Sequence, residues 1–357
     1  MINKVFPARF YLAANILMLT VLTSGCNSIA YYSQAIGGQL TILGQRQPIE
    51  DVIADPEIPD EIRARLKQVV AMRRFAVSEL GLPDNASYTS YVDLKRPYVV
   101  WNVFAAPELS LIPRQWCYPI AGCVSYRGYF KEHDAERFAE SLRKKGDDIM
   151  VAGITAYSTL GWFHDPLLNT MLNRSDTSLA GTLFHELAHQ QLFIKDDTTF
   201  NESFATTVEL EGVRLWLKMH GSEEQYLRYL QGHQRKMQFI DLAQGTRKKL
   251  IALYADSIPD QAKRLGKQRI FSELKQDYQK LKRTWGGYSG YDNWFNRELN
   301  NAHLVPVGSY YDYVPALQRL LHDCEGDLPA FYREAKAIAT LAPETRQETI
   351  GKLIRKN

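Results

Sequence analysis

Residues 183–190 read Leu183-Phe184-His185-Glu186-Leu187-Ala188-His189-Gln190, and the spacing of the two histidines organises everything around them. Four residues apart on a helix, His185 and His189 share one face a turn apart, the separation at which two imidazoles can hold one tetrahedral zinc ion. Glu186 follows the first histidine and leans toward the same point. From there it can take a proton from a water whose pKa zinc lowers to about 7, and hand it to a leaving amine. Two ligands leave the ion short by one. Asn201-Glu202-Ser203-Phe204-Ala205 begins the next helical pattern, and Glu202 can complete a His, His, Glu set with one position open for water. A plainer reading of Glu202 also exists: Thr199 to Glu202 fits a capping box, in which the glutamate only closes a helix start. Together the two segments predict a zinc-dependent peptidase with one Zn2+ per chain.

These motifs carry a resemblance. His185-Glu186-Leu187-Ala188-His189-Gln190 is similar to the zinc helix of the aminopeptidase N type, and Asn201-Glu202-Ser203-Phe204-Ala205 resembles that family's Asn-Glu-Gly-Phe-Ala segment. The resemblance implies a gluzincin with a zincin-like α+β fold, His185, His189 and Glu202 as ligands and Glu186 as base. Glu209, seven residues past Glu202, falls where that family often carries a carboxylate, and two turns along the same face it can orient a zinc-bound imidazole. In gluzincins a tyrosine or histidine beyond the third ligand donates a hydrogen bond to the tetrahedral oxyanion. Tyr291 and Tyr310 are the candidates for that role.

The local likeness covers residues 182–212 and departs from its relatives in two ways. Only residues 190–201 separate His189 from Glu202, so the turn between the helices must be tight. No Gly-x-Met-Glu-Asn segment, which grips the free amine of the substrate in that family, lies upstream. Over its whole length the chain is more similar to a bacterial family of predicted lipoprotein aminopeptidases, sharing Cys117-Tyr118-Pro119-Ile120-Ala121-Gly122-Cys123 and Leu299-Asn300-Asn301-Ala302-His303-Leu304 with it. The expected activity is therefore aminopeptidase. An endopeptidase of the same fold, or a non-catalytic envelope lipoprotein that binds peptide in the cleft, stays open beside it.

Residues 1–25 read as an export signal: Lys4 and Arg9 precede an apolar run from Phe10 to Leu22, and small residues follow. That run is too short to span a bilayer. It ends in Leu22-Thr23-Ser24-Gly25-Cys26, which resembles a bacterial lipobox, with Cys26 lipidated as the mature amino terminus. Asn27 rather than Asp follows, which by the sorting rule favours the outer membrane, facing the periplasm. In such a compartment disulfides persist, and Cys117 and Cys123, flanking Pro119 and Gly122, are expected to pair. Cys324 is left over, a small apolar residue for a helix to bury.

The formal charge of +3, part of it in Lys4 and Arg9, gives no basic surplus to draw a phosphate backbone, so nucleic acid is not an expected partner. A peptide and, through the lipid, a membrane are. With 45% hydrophobic and 23% charged residues in 357, the composition is globular, and residues 26–357 are read as one domain.

Apolar spacing predicts a helix over residues 60–80, and β-branched and aromatic runs predict strands over 88–92, 98–105, 122–130 and 149–157. A helix over 134–145 interrupts the strands and argues for a mixed sheet. From Glu202 onward the pattern is helical, in segments 201–219, 223–254, 260–284, 314–323, 328–340 and 344–355. Lys248, Lys249, Lys263, Arg264 and Lys267 read as a solvated surface, and His164, beside Asp165-Pro166, as a loop residue. The Gly- and aromatic-rich residues 285–313 stand apart, and residues 31–44 are apolar enough to pack near the groove. The strand before the histidine helix, residues 149–156 or their continuation 157–160, is expected to border the cleft and offer its main chain to an extended peptide.

Overall fold

The structure is a computed structural model, and it describes residues 30–118, 122–156, 159, 163–307 and 312–355. Cys26 and the rest of the amino-terminal signal, Tyr310, and most of residues 157–160 lie outside these. In chain order the elements are a helix over residues 30–44 (α1), then β1 Gln47–Pro48, α2 Ile49–Ala54, α3 Asp60–Ser78, β2 Ser90–Val92, β3 Val100–Pro107, β4 Trp116–Tyr118, β5 Gly122–Val124, β6 Arg127–Tyr129, α4 Glu132–Arg143, β7 Asp147–Ile154, β8 Leu167–Leu168, α5 Asn169–Leu172, α6 Asp176–Gln191, α7 Thr198–His220, α8 Glu223–Ala255, α9 Asp260–Thr284 and α10 Asp292–Phe295. A 3-10 turn at Asn301–Leu304 precedes α11 Val314–Asp323, α12 Leu328–Ala339 and α13 Pro343–Arg355. The architecture is α+β and mostly helical. No described helix is long and apolar enough to cross a membrane.

At its centre, α6 packs against α7. Leu183, Phe184, Leu187 and Ala188 on α6 and Phe204, Ala205 and Val208 on α7 are 0 % exposed, and each large side chain so buried contributes roughly 1.5–3 kcal/mol. The helices approach this closely because α7 carries Gly212, where a Cβ would stand 2.8 Å from atoms of Leu80 and Phe184. Around the pair, α3 and α11 to α13 complete the main core through Leu66, Met72, Leu317 and Phe331.

A second cluster sits between α8 and α9, with Leu250, Phe271, Leu274, Tyr278 and Trp285. The expected solvated basic face is only partly so. Lys249 meets Glu273 at the surface, but Lys267 is half-buried against Asp148 at 2.5 Å and Arg264 grips Glu108 with two nitrogens. Both tie α9 to the sheet.

The strands form three small sheets rather than one mixed sheet. Order β6-β3-β7 is antiparallel throughout, with Val103 opposite Val151 and Val100 opposite Ile154. Along β3 the side chains alternate as a pleat requires. Trp101, Val103 and Ala105 pack on Ala135 and Ala139 of α4, while Phe104 and Ala106 pack on Ala302 and Val305. Among the described residues parallel pairing occurs only between β2 and β8, in the small mixed sheet β1-β2-β8.

The expected strand 122–130 divides. Its first part turns back on β4 in a hairpin closed by the Cys117–Cys123 disulfide, and its second joins β3. Strand β2 begins at Ser90 rather than at residue 88 because Tyr88 holds a φ of 60°, outside the extended region. Cys324 lies just beyond the end of α11, half-buried against the main core. In α1, Tyr31 packs on Tyr118 and Tyr129, under the Arg127 guanidinium 4.0 Å from its ring centre.

Candidate metal and active site

Serine and aspartate set the two helix starts. Ser175 accepts from the Ser178 amide to open α6, and Asp197 accepts from the Phe200 amide at 3.0 Å to open α7. The capping reading of Glu202 therefore falls, because the cap is Asp197 and Glu202 lies more than a turn inside the helix. The short connection between α6 and α7 is held by Asn201, whose side chain accepts from the Ile194 amide and donates to the Ile194 carbonyl, both at 2.7 Å. Asp197 also pairs with the buried Arg346 of α13. So pinned, the first turns of α7 stand opposite the histidine face of α6.

Glu202 meets both histidines there. Its Oε2 is 3.3 Å from His185 Nε2 and its Oε1 3.6 Å from His189 Nε2, and one ligand atom from each of the three residues lies within 4.8 Å of the others. Zinc bonds of about 2.0–2.1 Å in a tetrahedron put neighbouring ligand atoms about 3.3–3.4 Å apart, so this donor set fits a metal ion. Glu209 Oε2 lies 3.1 Å from His185 Nδ1, and its other oxygen accepts from Tyr229 at 3.0 Å. Gly181 permits this, since a Cβ there would come 3.1 Å from Glu209 Oε1. The second histidine has no such support: His189 Nδ1 is buried without a hydrogen-bond partner among the described residues.

Burial and charge divide the titrating groups. For His185, burial works against protonation, but hydrogen bonds to Glu202 and Glu209 outweigh it and raise its pKa well above the ordinary range. Burial, reinforced by the charge on His185, pushes His189 down to about 4, leaving a neutral imidazole with a free lone pair. Burial lifts the Glu186 carboxyl to about 7, with the Glu202 and Asp165 charges adding to it against His185 and Arg174. Burial would also lift Glu209, yet His185, Lys236 and the Tyr229 hydroxyl bring it down to about 2. Glu209 is thus a fixed anion behind His185, and Glu186 is a carboxylate poised near neutrality.

All of this lies in a cleft of about 1050 Å3 whose walls are Gly153–Ala156, the His185 face of α6, Glu202 and Glu209 of α7, and the inner face of α8. Among the described residues β7 pairs in its sheet only with β3, which makes it an edge strand there. The 3-10 turn covers the early part of that edge, where Asn300 donates to the Ile149 carbonyl, and the later part opens on the cleft. His164 is exposed and offers only its carbonyl, to Arg46.

The sequence profile of the family described as "Putative aminopeptidase" matches residues 30–350. The chain belongs to this family. No curated protein and no solved structure matches the chain. Membership supports peptidase action in general, and the family's name implies a peptide substrate.

His185, Glu186, His189, Glu202 and Glu209 are brought together from the sequence reading. Tyr291 is not part of the cleft wall. Its ring stacks on Phe239 with centroids 4.6 Å apart, inside the α8–α9 cluster, and Tyr288 lines the cleft instead. Aromatic burial accounts for Tyr291, and Tyr310 lies outside the described residues. Sequence reasoning missed Arg174, Tyr229, His233 and Lys236. Three of these recur at helical spacing on α8, a face that reads as ordinary solvated helix until α7 is seen beside it.

Proposed function

We propose that this protein is a zinc-dependent peptidase of the gluzincin kind, acting as an aminopeptidase. The observation that carries the reading is the convergence of His185, His189 and Glu202 on one point beside Glu186, next to a strand edge that can pair with an extended peptide. When bound, zinc supplies Lewis-acid polarisation of the scissile carbonyl and lowers the pKa of the attacking water. Glu186 accepts that water's proton and returns it to the departing amine, which its position on the α6 face and its pKa near 7 suit. Glu209 holds His185 in one tautomer and orientation. The open edge of β7 aligns the substrate main chain.

The test is metal content together with turnover. Purified protein is expected to carry one zinc, and the Glu186→Gln protein to keep it while cleaving peptides at least ~100-fold more slowly. A zinc-loaded Glu186→Gln variant of undiminished activity overturns the mechanism. Comparing a short peptide with its N-acetylated twin separates the two peptidase modes, since equal rates mean an endopeptidase. The lipobox reading is proposed alongside: Cys26 carries lipid and holds the domain at the outer membrane. Intact mass of the membrane-extracted protein checks this, and a mature amino terminus elsewhere would remove it.

A further inference from the structure

The cleft holds a cation that forms no ion pair among the described residues. Arg174, just before the α6 cap, lines the cleft and reaches across it, donating from Nη1 to Thr182 Oγ1 at 3.0 Å and from Nη2 to Thr155 Oγ1 at 2.7 Å. Its Nε is buried without a partner, and it forms no ion pair among the described residues. Glu186 feels its charge without an ion pair between them, and the other neighbouring carboxylates are engaged elsewhere. Asp176 pairs with Arg65 and accepts from Gln68, and Asp165 accepts twice from Thr159. Glu202 faces the two histidines, while Glu209 is taken by His185 and Tyr229. A guanidinium whose Nε is buried without a partner among the described residues, and which donates to two neutral hydroxyls, keeps donors to spare. Its planar donor fork is suited to a carboxylate.

Its position says whose carboxylate. Thr155 directly follows β7, the strand whose edge faces the cleft, and Thr182 is one helical turn before Glu186 on α6. The guanidinium therefore bridges the strand that would carry the peptide and the helix that would cut it. We propose that Arg174 binds a carboxylate of the peptide substrate, either the terminal α-carboxylate of a short peptide or an acidic side chain, and so selects for it. This rests on the peptidase reading of the same cleft, and it names the class of peptide that the cleft takes.

Binding, not turnover, tests it. Zinc-loaded Glu186→Gln protein is titrated by calorimetry with tetra-alanine as the free acid, with tetra-alanine amide, and with the amidated peptide Ala-Ala-Glu-Ala. If the α-carboxylate is what Arg174 reads, the free acid binds ~10–100-fold more tightly than its amide. If it reads an acidic side chain, the glutamate peptide binds more tightly by a similar factor. In either case Arg174→Gln abolishes the discrimination while leaving zinc content unchanged, and Arg174→Lys, which keeps the charge but loses the fork, retains only part of it. A purely structural Arg174 would lower affinity for all three peptides alike. Equal affinities in the parent protein, or discrimination that survives Arg174→Gln, overturn the proposal. If Arg174→Gln fails to fold, the parent and Arg174→Lys titrations still decide it. Since no step needs catalysis, failure here is distinct from failure of the peptidase reading, which shows as turnover unaffected by Glu186→Gln.

Discussion

The 3-10 turn at Asn301–Leu304 and the cleft between α6 and α7 both bury a histidine among amides and acids, yet their polar groups are arranged in opposite ways. At the turn every inward group meets its complement. Asn301, 0 % exposed, donates from Nδ2 to the carbonyls of Pro107, Glu108 and Ser110, accepts from Tyr254, and gives its amide proton to Asp148. His303 Nδ1 pairs with Asn300, and burial pushes its pKa down to about 4, so the ring stays neutral. In the cleft, by contrast, two imidazole nitrogens and a carboxylate point at one another. Burial alone therefore does not mark a reactive site. Side chains able to act as ligands and converging on a shared point mark a candidate, because one metal ion placed there can bind all three.

The comparison can be broken first at the turn. Asn301→Ala removes donors to three carbonyls at a fully buried position, and is expected to cost about 2–4 kcal/mol in denaturant unfolding, with zinc stoichiometry unchanged. A loss of metal in a protein that is still folded would mean that the two regions are one functional unit. In the cleft the matching change is Glu209→Gln, which withdraws the anion behind His185. Zinc affinity, measured by chelator competition, should fall ~10–100-fold, and the metal-free protein should also lose stability at neutral pH because the depressed Glu209 carboxyl contributes to it. An unchanged affinity would reduce Glu209 to a packing residue.

The smallest effect concerns pH. His303 has an ordinary value of about 6.5 when unfolded and about 4 when folded, so on acidification the unfolded chain takes up a proton that the native turn refuses. Its contribution to stability is fully present above about pH 6.5 and is lost as pH falls toward 4, amounting to about 1 kcal/mol between pH 7 and pH 5.5. Unfolding curves at those two values, compared with His303→Gln, read this difference. A variant as pH-sensitive as the parent would assign the effect to other groups.

Much of the site was legible in the sequence because its chemistry is local. The i, i+4 spacing of His185 and His189 fixes their shared face on any helix, and Glu186 and Glu209 follow from the same geometry one residue and seven residues from a ligand. Helices α3, α4, α7 to α9 and α11 to α13 were placed to within a few residues, since apolar periodicity is also local, while the short α10 was not; the Cys117–Cys123 pair closes a short turn. The aromatic stretch at 285–313 misled, because a tyrosine looks the same whether it faces a cleft or, like Tyr291, stacks on Phe239.

What only the tertiary structure decided are the pairings between residues distant in the chain. Lys267 with Asp148, Asn301 with the carbonyls after β3, Tyr229 with Glu209 and Arg174 with Thr155 join different elements. Each is a charged or polar side chain whose role depends on whether a complementary group arrives within about 3 Å, the range in which a hydrogen bond forms. Along the sequence such a group is indistinguishable from one that faces water. Spacing sets which side chains share a face, and packing sets what that face meets.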